Sequence, residues 1–260
     1  MTNRIRKSIA AAAAGAAITG AAIASSSTAS AQEQVKNIVL VHGAFADGSG
    51  WRGVYEDLTQ RGYKVSIVQN PLTSLADDVA ATNRVLDRQD GPTILVGHSW
   101  GGTVITEAGV HPNVTGLVYV AALSPDAGES TGQQYEGFPA ATEFVLDIQD
   151  DGFGFVKSEN FKAGFAGDTT EADAAFMRDS QVPINMSVFE TKLENAAWRI
   201  KPSWAIYGLQ DKAFGEGMLP AMAERIGADI TTVDASHSIF MTQPQAVAEV
   251  IDRAANGVRN

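Results

Sequence analysis

Cysteine is absent from all 260 residues. That excludes disulfides, thiolate metal sites and a thiol nucleophile. It also suits an oxidising compartment, where a stray thiol is a liability. Histidine is scarce, with four in the chain. None stands at H-x-x-x-H or H-E-x-x-H spacing, so a metal enzyme is disfavoured. Basic charge is short as well: 19 Lys and Arg face 30 Asp and Glu, for a net charge of −11. A surface of that sign repels phosphate backbones, which argues against nucleic acid as a partner. The acidic residues form no long run and are read as serving solubility.

The N-terminus reads as an address. Arg4, Arg6 and Lys7 make a positive n-region, and an alanine-rich apolar stretch follows from Ile9 to about Ala24. Ala29-Ser30-Ala31 then supplies an A-x-A cleavage pattern before Gln32. The apolar run is short and made mainly of Ala and Gly, so it would hold poorly in a bilayer. No paired arginines and no cysteine follow the pattern of a twin-arginine or lipoprotein signal. Residues 1–31 are expected to be a signal peptide cleaved after Ala31, giving a secreted or periplasmic chain with no stable membrane anchor. The segment's only charges are those three cations, so its removal takes the net charge from −11 to −14.

Beyond it, short β-rich runs alternate with helical patterns. The strands are placed at Val35–Val41, Lys64–Val68, Thr93–Val96, Val114–Val120, Ser203–Tyr207 and Ile230–Val233. Their continuous Val, Ile and aromatic content predicts strands buried on both faces of a parallel sheet. Helices are placed near Trp51–Arg61, Leu75–Gln89, Gly101–Ala108, Gly217–Ile226 and Pro244–Ala255. The alternation predicts an α/β fold with a doubly wound, mostly parallel sheet over residues 32–260. The rhythm breaks between about 124 and 200. About 75 residues is too long for an ordinary connection, so an inserted cap is expected, with one amphipathic helix near Glu171–Arg178.

The chemistry concentrates in Gly97-His98-Ser99-Trp100-Gly101-Gly102, which follows a strand and opens a helix. In that context G-x-S-x-G is a nucleophile elbow, a sharp strand-to-helix turn that lifts the Ser99 hydroxyl above the sheet edge. A serine hydroxyl needs a base, and the base needs an orienting acid. Functional groups of a parallel sheet gather at the carboxyl ends of its strands. His111 falls at the opposite edge, His98 adjoins Ser99, and His42 reads as a hydrogen-bonding fixture of its own loop. His237, on the loop after the last strand, is left as the base. Asp211 follows the strand Ser203–Tyr207 and is the preferred acid, with Asp126 its rival. A backbone N–H from the loop His42-Gly43-Ala44-Phe45, best that of Ala44, would pair with that of Trp100 as an oxyanion hole. Phe45, Trp100, Phe214 and Phe240 flank these groups and are expected to line an apolar pocket, with at least one of them in the core. The first Gly-rich turn does not spell G-x-G-x-x-G, which disfavours dinucleotide binding.

Val41-His42-Gly43-Ala44 with Trp51 after it, Gly97-His98-Ser99-Trp100-Gly101-Gly102, Asp211-Lys212 and Ser236-His237 together resemble the α/β-hydrolase superfamily. They are most similar to its branch of methylesterases and hydroxynitrile lyases with their bacterial relatives. The resemblance implies the α/β-hydrolase fold and a cofactor-free, metal-free enzyme that cleaves small-molecule esters through an acyl-enzyme. In the lyases a lysine follows the histidine, where this chain has Ser238, and the glycine at Gly43 is missing. Both departures favour hydrolysis over cyanohydrin cleavage, and the apolar pocket and cap suggest a carboxylesterase for small to medium apolar esters. Lyase-like, amidase or perhydrolase chemistry on the same triad, or a receptor-like ligand-binding scaffold, are the alternatives. The oligomeric state is left open.

Overall fold

The structure, a computed structural model, describes residues 35–258. The expected signal peptide, 1–31, lies outside the described residues. The first half of the chain runs β1 (Asn37–Val41), α1 (Arg52–Gln60), β2 (Lys64–Val68), α2 (Leu75–Leu86), β3 (Thr93–His98), α3 (Trp100–Ala108) and β4 (Val114–Val120). Three short strands follow, β5 (Leu146–Ile148), β6 (Phe153–Val156) and, beyond α4 (Ser158–Phe165) and α5 (Glu171–Asp179), β7 (Ile184–Asn185). The chain ends with β8 (Ser203–Gly208), α6 (Met218–Arg225), β9 (Asp229–Val233), α7 (Ile239–Thr242) and α8 (Pro244–Gly257).

Six strands form one sheet in the order β2-β1-β3-β4-β8-β9, and every neighbouring pair is parallel. Every residue of β1 and β3 is buried. That is the burial their unbroken Val, Ile and Leu content calls for. The edge strands differ from the sequence expectation. Lys64 is exposed on β2, and Asp229, Ile230 and Thr232 are exposed on β9. Edge strands lie at the margin of the helical layers that cover the sheet, so their side chains are only partly covered.

The chain leaves β1 toward β2 on one side, then crosses to β3 on the other. Right-handed crossovers therefore put α1 on one face and α2 and α3 on the opposite one. Helix α8 joins α1 and packs on β3, β4 and β8, while α3 packs on α2 and β3. The strand order reverses between β1 and β3, and the carboxyl ends of those two strands form the crevice where open α/β sheets hold ligands.

The stretch between β4 and β8 is more structured than expected. It carries α5, placed at Glu171–Arg178 from its pattern, but also α4 and an antiparallel sheet β5-β6-β7. Asn185 donates its N–H to the carbonyl of Leu72 at 2.9 Å, which ties this segment to the loop before α2.

Candidate active site

Ser99 stands between β3 and α3 with φ 52° and ψ −119°. Such a conformation is costly for a residue with a side chain, and surrounding structure must enforce it. Glycines make the enforcement possible. A Cβ on Gly97 would lie 2.4 Å from the Gly101 carbonyl oxygen. One on Gly102 would lie 2.1 Å from that of Leu123. The Ser99 N–H donates to Val120 and its carbonyl accepts from Gly102 and Leu123. Those bonds hold the turn from three directions and leave the side chain partly open.

The loop after β1 lies beside it. A Cβ on Gly43 would come within 2.8 Å of the Ser99 Cβ and 2.9 Å of His98 Nδ1. Only glycine lets this backbone approach so closely. Phe45 follows at φ 61°. His42 acts as the fixture expected of it. Its Nδ1–H donates to the Gly43 carbonyl at 2.8 Å, and Nε2 accepts the Asn70 N–H at 2.9 Å. Burial pushes its pKa down, which keeps the ring neutral and able to accept. Among the described residues, the Ala44 and Trp100 N–H groups have no protein acceptor. Trp100 opens α3, where the first amides have no partner within the helix.

His237 sits on the loop between β9 and α7, 1% exposed, with its Nδ1 2.7 Å from Asp211 Oδ2. Asp211 follows β8 and also accepts the Ala213 N–H on Oδ1 at 2.8 Å. Both oxygens of that buried carboxylate are thus engaged, and the imidazole is held with Nε2 as its free nitrogen. No hydrogen bond joins Ser99 to His237 among the described residues. Such bonds are often long in unliganded sites and close when substrate arrives. The rival Asp126 is elsewhere, paired with Arg199 and Arg225 on the surface. The Arg199 guanidinium holds its carboxyl below the usual range. His111 bonds Asp87 beyond the far end of α3.

His98 does more than the sequence suggested. Its Nε2–H donates to the His237 carbonyl at 3.0 Å, and the two rings stand 4.6 Å apart. Complete burial lowers its pKa well below the usual value, and His237 adds to that. A neutral His98 thus braces the loop that carries His237. The segment between β4 and β8, the expected cap, braces it from the other side. Ser238 Oγ donates to the Phe165 carbonyl at 2.9 Å, Ser236 Oγ bonds Asp168, and the Phe165 ring meets His237 at 4.9 Å.

Ser99 opens into a cavity of about 460 Å³. Ala44, Phe45, Trp100 and Phe214 line it, as do Phe138, Phe144, Leu146 and Phe189 from the cap. Among the described residues, no charged side chain contributes to the lining. Phe214 connects the cavity to the buried pair, with its ring 5.2 Å from His237. Phe240 does not reach the cavity. It is 2% exposed and packs on Trp51 and His98. A Cβ on Gly50 would strike it at 2.4 Å. Helix α7 turns that ring toward the core, so a position next to the histidine loop was a poor guide to its direction. The cap aromatics were missed because short strands and turns carry no periodicity that assigns a face.

Residues 38–250 match the model of the alpha/beta hydrolase family. The chain belongs to the alpha/beta hydrolase family. It is 28% identical over 249 aligned positions to a pyrethroid hydrolase of Sphingobium wenxiniae, covering 84% of this chain and 86% of that one. An extracellular alpha/beta-hydrolase from a Paenibacillus species, described as sharing homology with tobacco salicylic acid binding protein 2, superposes with a TM-score of 0.72. It is 22% identical and is matched over 84% of this chain and 98% of its own. Polyneuridine aldehyde esterase gives a TM-score of 0.72 at 19% identity, over 84% and 99%. Those neighbours share the fold. This α/β-hydrolase has no helix among its described residues long and apolar enough to cross a membrane.

Proposed function

We propose that this α/β-hydrolase is a carboxylesterase for neutral, apolar esters of small to medium size, working through Ser99, His237 and Asp211. The observation that carries the reading is the position of Ser99. It lines an apolar cavity with Ala44 and Trp100, whose N–H groups have no protein acceptor among the described residues, and with Phe214, whose ring stands 5.2 Å from the imidazole of the buried His237–Asp211 pair.

The Ser99 hydroxyl attacks the ester carbonyl while His237 Nε2 takes its proton. The negative charge that develops on the carbonyl oxygen is held by the N–H groups of Ala44 and Trp100. Preorganised donors of this kind are worth about 3 kcal/mol each in the transition state. Asp211 holds the imidazole in the required tautomer and stabilises the imidazolium. The tetrahedral intermediate collapses, His237 passes its proton to the leaving alkoxide, and an acyl-Ser99 ester remains. Water then attacks with His237 as base. The acid departs, and the proton returns to Ser99.

Ser238 supports hydrolysis over cyanohydrin cleavage, because its hydroxyl is occupied by the cap carbonyl of Phe165 and brings no cation near the leaving group. We also propose that residues 1–31 are removed on export and that the mature enzyme acts in the periplasm or outside the cell.

The cavity wall sets the substrate preference. A carboxylate on the acyl chain would lose its hydration there without gaining a cation. In a panel of p-nitrophenyl esters, kcat/KM for the butyrate is expected to exceed that for the hemisuccinate by at least about 100-fold, the effect of one unpaired buried charge. Equal values for the two esters would contradict the assignment of this cavity to the acyl group.

A further inference from the structure

Helix α2 buries one stripe, Leu75, Asp78, Thr82 and Leu86. Three of these suit a core, and the fourth is a carboxylate with 0% exposure. Asp78 Oδ2 accepts the indole N–H of Trp100 at 2.7 Å, and Oδ1 accepts the backbone N–H of Leu72 at 2.8 Å. Burial pushes its pKa up to about 6 against the pull of those two donors, and neighbouring Asp77 adds repulsion. The group is a buried carboxyl with no cation beside it, kept in place by two N–H donors. A leucine in its place would leave both N–H donors buried and unpaired, so what the carboxyl does is read from the two groups it holds.

Trp100 is the residue next to Ser99. It lines the cavity, and its backbone N–H has no protein acceptor among the described residues. The indole is gripped on two sides, by Asp78 through its N–H and by the cap residue Phe189, whose ring is 5.4 Å away. Leu72, the other partner of Asp78, sits at φ 59° and accepts the Asn185 N–H from the cap. One buried carboxylate thus holds both the first residue of α3 and the strained loop on which the cap is moored.

We infer that Asp78 is a positioning residue for the ester-cleaving site, fixing Trp100 so that its backbone N–H points at the developing oxyanion. The inference rests on the assignment of Ser99 as nucleophile. Oxyanion donors act only when aimed at the place where charge appears, and displacements near 1 Å can cost about 100-fold. An interaction of this kind belongs to the transition state. Its loss lowers kcat and leaves KM nearly unchanged.

The test uses full-length protein carrying Asp78→Asn, Trp100→Phe and both changes together, with p-nitrophenyl butyrate as substrate. An alkyl boronic acid serves as mimic of the tetrahedral intermediate. Each single variant is expected to lower kcat by about 10-fold to 100-fold with KM within about twofold of the parent. Boronate affinity is expected to fall by the same factor as kcat/KM. The double variant is expected to be no slower than the slower single one, because both changes break one contact. Trp100→Phe keeps an aromatic ring at that position, smaller than the indole, and removes the donor, so it carries the test if Asp78→Asn does not fold. Unchanged kcat and boronate affinity in a folded variant, or fully additive losses, would overturn the inference. Ser99→Ala is run alongside. Turnover surviving in that variant would instead remove the reading on which the inference stands.

Discussion

Replacing Ser99 with alanine is expected to lower kcat for p-nitrophenyl butyrate by about 10⁴-fold or more, with KM little changed. The loss is that large because the nucleophile and base act as one unit, and removing either leaves only the oxyanion hole and binding. The substitution takes away one oxygen at a partly open position and makes no new contact. It also relaxes nothing in the elbow, since the strained φ of 52° is imposed by backbone bonds to Val120, Gly102 and Leu123. A thermal midpoint within a few degrees of the parent should accompany the kinetic loss, and circular dichroism with steady-state assay checks both.

Changing Asp211 to asparagine gives the second large effect, about 10⁴-fold in kcat. Asparagine keeps the shape and can still accept the Ala213 N–H on its oxygen. It then turns its NH₂ toward His237 Nδ1, where Asp211 Oδ2 now sits at 2.7 Å. A donor facing Nδ1 requires that nitrogen to be unprotonated and moves the ring proton to Nε2. Nε2 can then no longer take the proton of Ser99. Asp126→Asn is the matched control, because that carboxylate is engaged by Arg199 and Arg225 on the surface. Its kcat should stay within about twofold of the parent, since surface pairs of this kind contribute little. If the two asparagine variants exchanged behaviour, the acid would be the one after β4 and the Asp211 assignment would be wrong.

Legibility in the sequence follows burial and periodicity. The bounds of Lys64–Val68 and Val114–Val120 agree between sequence and structure, because β-branched runs bounded by turn residues mark a strand wherever it lies in the sheet. The two-sided burial expected of Ile230–Val233 failed, because a β-branched run reads alike at the centre and at the edge of a sheet. Ser99, His237 and Asp211 could be singled out because topology sends every strand's carboxyl end to one rim. Strand order alone then brings together loops that are distant in sequence.

Asp78 was missed for the opposite reason. Its partner Trp100 is 22 residues away on another helix, and no local pattern announces such a pair. A signal was nevertheless present. At the spacing Leu75, Asp78, Thr82, Leu86, an acid interrupts the face that α2 must bury. The direction of Phe240 and the closing of the cavity by Phe144 and Phe189 lay beyond reach, since side-chain direction in short turns depends on packing and not on spacing.

The most direct measurement is covalent. A fluorophosphonate phosphonylates a serine, with loss of fluoride, only when that serine is an activated nucleophile with donors around its oxygen. The account predicts one phosphonate per chain by intact mass, located by peptide sequencing on Ser99, blocked by prior boronic acid and absent from Ser99→Ala. Labelling on another residue, or an enzyme that hydrolyses esters at full rate while Ser99 stays unmodified, would contradict it.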